Sequence, residues 1–169
     1  MNLTLECEQE EDGRWLAEVP QLPGVMAYGE KRDEAMSKAQ ALALRVLAER
    51  LYGVGPVTGL ALTCWLAGKD RFSSSRKAVR FTGLDVTVWS SDRKGPPGRL
   101  SRQGPPVLRW AVYEAGKTHA RAAAPDHGYY TQVKDRKNTK RAALSEARKI
   151  VRHACHILTE LGDDALTAA

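Results

Sequence analysis

Leu51-Tyr52-Gly53-Val54-Gly55-Pro56-Val57-Thr58-Gly59-Leu60 is the stretch on which the fold turns, because the character of the chain differs on its two sides. A Gly-x-Gly turn followed by Pro at a first helical position reads as a tight hairpin feeding a helix N-terminus. Exposed amides and the positive end of the helix dipole at such a point favour a phosphate group. Gly53, Gly55 and Thr58 are therefore candidate backbone-phosphate contacts in a helix-hairpin-helix element, which grips a nucleic acid without reading sequence. The helix that follows, 57–67, is apolar nearly all round and is expected to be buried.

Charge divides at the same place. Residues 1–50 carry 6 Lys/Arg against 10 Asp/Glu, whereas residues 51–169 carry 20 against 10. All of the second set of cations fall between Lys69 and Arg152. The imbalance points to two units, 1–50 and 51–169, the second with a polyanionic partner such as DNA. Apolar residues make up 43% of the 169-residue chain, enough for a core. No run approaches the ~20 apolar residues of a membrane span. The N-terminus lacks the basic start and apolar stretch of a secretory signal. Cys7, Cys64 and Cys155 are widely spaced and odd in number, which suits free thiols in a reducing cytoplasm.

Upstream of residue 51, Leu3, Leu5 and Cys7 alternate with Thr4, Glu6 and Glu8 as in a half-buried strand. Asp12-Gly13 is a hairpin signal, and Trp15, Ala17 and Val19 give the return strand. Val25 to Tyr28 reads as a third strand. Between Glu30 and Leu51 the period becomes helical, with Ala35, Ala39, Leu42 and Val46 on one face. The unit is β-β-β-α. Its run Asp12-Gly13-Arg14-Trp15-Leu16-Ala17-Glu18-Val19-Pro20, with Leu22-Pro23-Gly24-Val25, Tyr28-Gly29 and Asp33-Glu34-Ala35, resembles the HicB-like antitoxin domain. The resemblance implies binding of a small ribonuclease toxin and operon repression, an alternative function for the chain. The strand that usually follows the helix in that family is absent, so a free sheet edge is expected.

Downstream, Ser73-Ser74-Ser75 reads as a helix start capped by a hydroxyl, ahead of Arg76 to Phe81. After Gly83-Leu84 a short strand, Val86-Thr87-Val88-Trp89, is expected. The loop from Ser90 to Gly104 has hardly any apolar content and carries Arg93, Lys94, Arg99 and Arg102. Its composition suits a segment that orders on a phosphate backbone. Helices are expected over 107–124 and from Asp126, the first with Arg109 facing outward. A strongly amphipathic helix is expected over 139–161. On it Leu144, Ala147, Val151, Ala154, Cys155 and Leu158 form a dry stripe, while Arg141, Arg148 and Arg152 line up separately as a candidate phosphate-facing stripe. Residues 163–169 are expected to fray. His153 and His156 lie three apart, which could make half of a metal site but more ordinarily gives surface histidines. No metal set is read from the sequence.

Gly53-Val54-Gly55-Pro56-Val57-Thr58, Arg71-Phe72-Ser73-Ser74-Ser75-Arg76-Lys77-Ala78, Gly83-Leu84, Ser90-Ser91, Ser101-Arg102-Gln103-Gly104, Leu108-Arg109-Trp110-Ala111, Tyr129-Tyr130 and Lys140-Arg141-Ala142-Ala143-Leu144 keep an order and spacing that continues to Ala147-Arg148-Lys149-Ile150. Over about residues 51–161 they resemble the C-terminal domain of insertion-sequence 110/116/902 family transposases. The resemblance implies DNA strand exchange, in which a serine attacks a phosphodiester and a RuvC-like domain supplies metal-binding carboxylates. It also implies association with a structured RNA. The matching serine is Ser91, with Ser90 next to it, and nearby cations would stabilise charge on the attacked phosphate. Asp92 stands where the family has Gly, and no RuvC-like carboxylate set is recognisable. The chain is thus expected to be incomplete and inactive as an enzyme by itself. It needs no cofactor of its own, with magnesium entering only through a nuclease domain on another chain. DNA is the expected partner; structured RNA, a small toxin protein and a second copy of the chain are further candidates, and no membrane is. The expected fold class is α+β: a small β-β-β-α unit, then an α-rich domain containing the helix-hairpin-helix.

Overall fold

The computed structural model describes residues 3–66, 71–86, 99–160 and 166–168. Strands β1 (Leu3–Gln9), β2 (Trp15–Glu18) and β3 (Met26–Gly29) form an antiparallel meander, followed by helix α1 (Arg32–Glu49). The β1–β2 register pairs Glu6 with Glu18 and Gln9 with Trp15. At the turn, Gly13 adopts φ +84°, and Asp12 accepts hydrogen bonds from the Arg14 backbone N–H at 3.0 Å and from its Nε at 2.7 Å. These two bonds, with the guanidinium charge, hold the Asp12 carboxyl below its usual range. Leu3, Leu5, Ala17 and Val19 turn inward against Ala35, Ala39, Ala43 and Leu47 of α1. The α+β class and the N-terminal β-β-β-α order are as the sequence indicates.

The edge of β1 is not left free at its start. A short strand β4 (Leu166–Ala168) pairs in parallel with β1, Leu3 opposite Leu166, giving the order β3-β2-β1-β4. The expected fraying of the C-terminus is corrected there too. An unpaired row of backbone donors and acceptors is costly, and a returning tail satisfies it.

Among the described residues, six helices carry the rest: α1, α2 (Pro56–Leu66), α3 (Ser75–Phe81), α4 (Pro106–Lys117), α5 (His127–Arg136) and α6 (Thr139–Glu160). One hydrophobic cluster runs from the sheet through α1 into α2, α4 and α6, with Leu62, Leu66, Leu84, Leu108, Val112, Val151 and Leu158 almost wholly buried. Each such side chain contributes about 1.5–3 kcal/mol through its removal from water.

Three local expectations need correcting. Helix α2 is not buried all round, for Val57, Leu60 and Trp65 are 64%, 52% and 39% exposed and Cys64 is exposed beside them. A helix lying on the outside of the core wets one face whatever its residues. Ser74 is the N-cap of α3 by backbone geometry, but its hydroxyl makes no capping bond. Helix α4 stops at Lys117 rather than at 124, where a 3-10 turn (Thr118–Ala120) takes over and the Thr118 hydroxyl bonds the Ala115 carbonyl at 2.7 Å. Of the expected strand 86–89, Val86 forms a bridge with Leu100, and residues 87–89 lie outside the described residues.

Among the described residues, α4 and α6 make the most extensive helix–helix contact. A Cβ on Gly116 would collide with the Ala143 carbonyl and come within 2.9 Å of the Ala147 amide. Alanine in a helix interior is ordinarily about 1 kcal/mol better than glycine. Gly116→Ala should instead lower stability by about 1–3 kcal/mol, the usual cost of overpacking, as read by urea or thermal denaturation.

Candidate nucleic-acid interface

The residues around Gly83 and Arg102 build the site. Gly83 has φ +71°, and a Cβ there would lie 2.9 Å from the amides of both Gln103 and Gly104. The returning chain 99–104 can lie that close only against glycine. Arg102 donates its backbone N–H to the Gly83 carbonyl at 3.1 Å, and Ser101 donates its own to the Asp85 carbonyl at 3.0 Å. The Ser101 hydroxyl also bonds Asp85 Oδ1, and Asp85 Oδ2 lies 3.4 Å from Arg80 Nε. Arg102 is held at φ +54°, the left-handed region, at a cost of about 1–2 kcal/mol for a residue with a Cβ. Strain of this kind persists where surrounding contacts enforce it, and it clusters at binding sites.

Two adjoining grooves open beside this strained turn. The first has a volume of about 650 Å3 and is lined by Val86, Arg99, Leu100, Arg102, Arg141, Leu144 and Arg148. Four arginines from two separate stretches of chain thus face one cleft, and among the described residues no carboxylate lines it. The second, about 470 Å3, shares Leu100, Arg102 and Leu144 and adds Arg109, Trp110, Tyr113 and Lys140. Trp110 is 58% exposed, on the rigid scaffold of α4.

The arginines differ in how they are held. Arg148 is half-buried, and its Nε donates to the Leu84 carbonyl at 2.8 Å, tying α6 to the turn after α3. Burial, then the neighbouring Arg152 charge, lowers its pKa, with Asp85 opposing. Arg141 and Arg102 are exposed. Arg109 does not simply point outward: it is half-buried, and its Nη1 donates to the carbonyls of Arg102 and Gly104, each at 3.1 Å. It fastens the strained turn to α4.

Of the residues singled out in the sequence, Arg99, Arg102, Arg141 and Arg148 are brought together in the first groove, and Arg109 lines the second. Arg152 is exposed on α6 but lines neither. Gly53, Gly55 and Thr58 stand at the start of α2, also outside both grooves. Gly53 has φ +80°, and a Cβ on it would meet the Thr118 hydroxyl and lie 2.8 Å from the Ala115 carbonyl. Its glycine is therefore required by packing. Ser90, Ser91, Arg93 and Lys94 lie outside the described residues. The ends of that segment, Val86 and Arg99, both lie on the wall of the first groove.

Sequence reasoning missed a second polar cluster. His119, Asp126, Glu146 and Lys149 come from the 3-10 turn, the cap of α5 and helix α6. His119 and Glu146 are buried, and burial raises the Glu146 pKa against the opposing charges of Lys149 and His119. No spacing in the sequence links these positions.

The chain belongs to the Transposase IS116/IS110/IS902 family, whose family model matches residues 45–131, just over half of it. Its function is accordingly related to transposition. The match begins within α1 and ends within α5, so the turn at Gly83, the strained Arg102 and Trp110 all lie inside it. No curated protein matches the chain. Among the described residues no helix is long and apolar enough to cross a membrane.

Arg148→Ala removes the donor to a buried carbonyl and should cost about 1–3 kcal/mol in denaturation. Arg152→Ala, on the exposed side of the same helix, should stay within about 0.5 kcal/mol.

Proposed function

We propose that the chain is a DNA-binding part of a transposase, holding a sugar-phosphate strand in the arginine groove during strand exchange. The observation that carries this reading is the convergence of Arg99, Arg102, Arg141 and Arg148 on one cleft whose described wall residues include no carboxylate. Like charges held this close raise the local potential and favour an anion between them. Guanidinium forks suit phosphate oxygens, and the half-buried, preoriented Arg148 loses little side-chain entropy on binding. The neighbouring Trp110 and Tyr113 offer stacking surface to a base or sugar on the same strand. The start of α2, at Gly55 and Thr58, is a further backbone contact in this reading.

Ser91 is the residue assigned to attack on the phosphodiester, with Ser90 beside it. The support is that the segment bearing both leaves and returns at the groove wall. Phosphoryl transfer assisted by metal ions requires several carboxylates around one or two ions. The groove supplies cations instead, so in this reading the metal-binding carboxylates come from elsewhere in the recombining assembly. Binding without strand cleavage is then the activity of these 169 residues.

Salt-dependent binding to DNA duplexes of unrelated sequence tests the reading. Affinity should fall linearly on logarithmic axes, with equal slopes for all sequences. Arg102→Ala, Arg141→Ala and Lys94→Ala should each weaken binding uniformly and flatten the slope by about one unit. Ser91→Ala should leave affinity intact. Unchanged affinity and slope in all three cation variants would remove the groove from the interface.

A further inference from the structure

The buried cluster against α6 has the composition and spacing of a metal site. His119 is 4% exposed and Glu146 is wholly buried. Neither ring nitrogen of His119 has a hydrogen-bond partner, and neither does Glu146 Oε2. Interiors rarely leave such atoms unpaired, and His119 Nδ1 and Glu146 Oε2 face each other closely enough to share one partner. His119 Nδ1 stands 3.6 Å from Glu146 Oε2, too far for a hydrogen bond. Two ligands bonded at about 2.0–2.1 Å to one tetrahedral ion stand about 3.4 Å apart. One ligand atom each from His119, Asp126 and Glu146 lies within 4.8 Å of the other two.

Lys149 shows that the cluster attracts positive charge. Its Nζ lies 3.5 Å from both Asp126 Oδ2 and Glu146 Oε1 and 3.5 Å from the centroid of the Tyr129 ring. The ammonium nonetheless leaves Glu146 Oε2 and both His119 nitrogens unpaired. It is 29% exposed and can retreat towards the Tyr129 face and solvent, while Asp126, 41% exposed, forms the mouth through which an ion would enter.

We propose that His119, Asp126 and Glu146 bind a divalent transition-metal ion of the zinc type, with three protein ligands and a fourth position open towards Asp126. One imidazole and two carboxylates suit zinc better than the softer, thiolate-seeking metals. The ion ties the 3-10 turn and the cap of α5 to α6. The site is separate from the arginine groove, so it stands or falls independently of the nucleic-acid reading.

The test is calorimetric titration of zinc chloride into the full chain carrying His153→Ala, His156→Ala and Cys64→Ser, which removes exposed side chains able to bind zinc adventitiously. One ion per chain should bind, with a rise in melting temperature. Glu146→Gln and Asp126→Asn should each weaken binding by about a hundredfold or more and abolish the rise, since loss of an outer-shell partner alone costs 10–100-fold. Asp126, at the surface, carries the test should Glu146→Gln fail to fold. With cobalt substituted, the spectrum should show tetrahedral d–d bands without a thiolate charge-transfer band. No uptake, uptake unchanged in Asp126→Asn, or a thiolate band would overturn the proposal.

Discussion

The crossing of α4 over α6 is the constraint on which the rest of the structure depends. Gly116 lets the two backbones approach until the next atom outward would overlap the Ala143 carbonyl. At that separation Leu108, Ala111, Val112 and Ala115 share one buried cluster with Ala147, Ile150 and Val151. The same crossing sets Arg141, Leu144 and Arg148 of α6 opposite the turn fixed by Arg109 of α4. The bond from Arg148 to the Leu84 carbonyl adds the third wall. A cluster of guanidinium groups repels itself; here packing elsewhere in the fold overcomes that repulsion.

Charge is distributed to match. Glu8, Gln9, Glu10, Glu11 and Asp12 line a shallow acidic pocket at the β1–β2 hairpin, while the arginines collect on the α6 side. A polyanion approaching the chain is steered away from the hairpin and towards the groove. The division of charge at residue 50 thus becomes a polarity of the folded protein. Residues 3–44, outside the family match, supply strands β1 to β3 and most of α1, whose Ala43, Leu44 and Leu47 join the shared core.

Much of this was legible in the sequence where a single physical rule governs an element. The alternation of Leu3, Leu5 and Cys7, the Asp12-Gly13 turn and the stripe from Ala147 to Leu158 each follow from one periodicity, and the structure keeps them. Elements decided by tertiary context were not legible. The apolar residues of α2 gave no sign of which face would be wet. The three residues of β4 are too few to show alternation, and their partner lies at the other end of the chain. The role of Arg109 depends on carbonyls freed by a left-handed Arg102, a conformation that no sequence pattern signals. The four groove arginines were named as loop and helix cations, but only the fold shows that they share a cleft. His119, Asp126 and Glu146 are linked by three-dimensional packing alone.

The central claim is that this cleft receives a phosphate backbone. The most direct measurement is an NMR titration following arginine Nε–Hε signals as a short DNA strand is added. The account expects Arg99, Arg102, Arg141 and Arg148 to shift together with a common midpoint, while Arg14 at the acidic hairpin stays still. Shifts spread evenly over all arginines, or absent from those four while others respond, would contradict it.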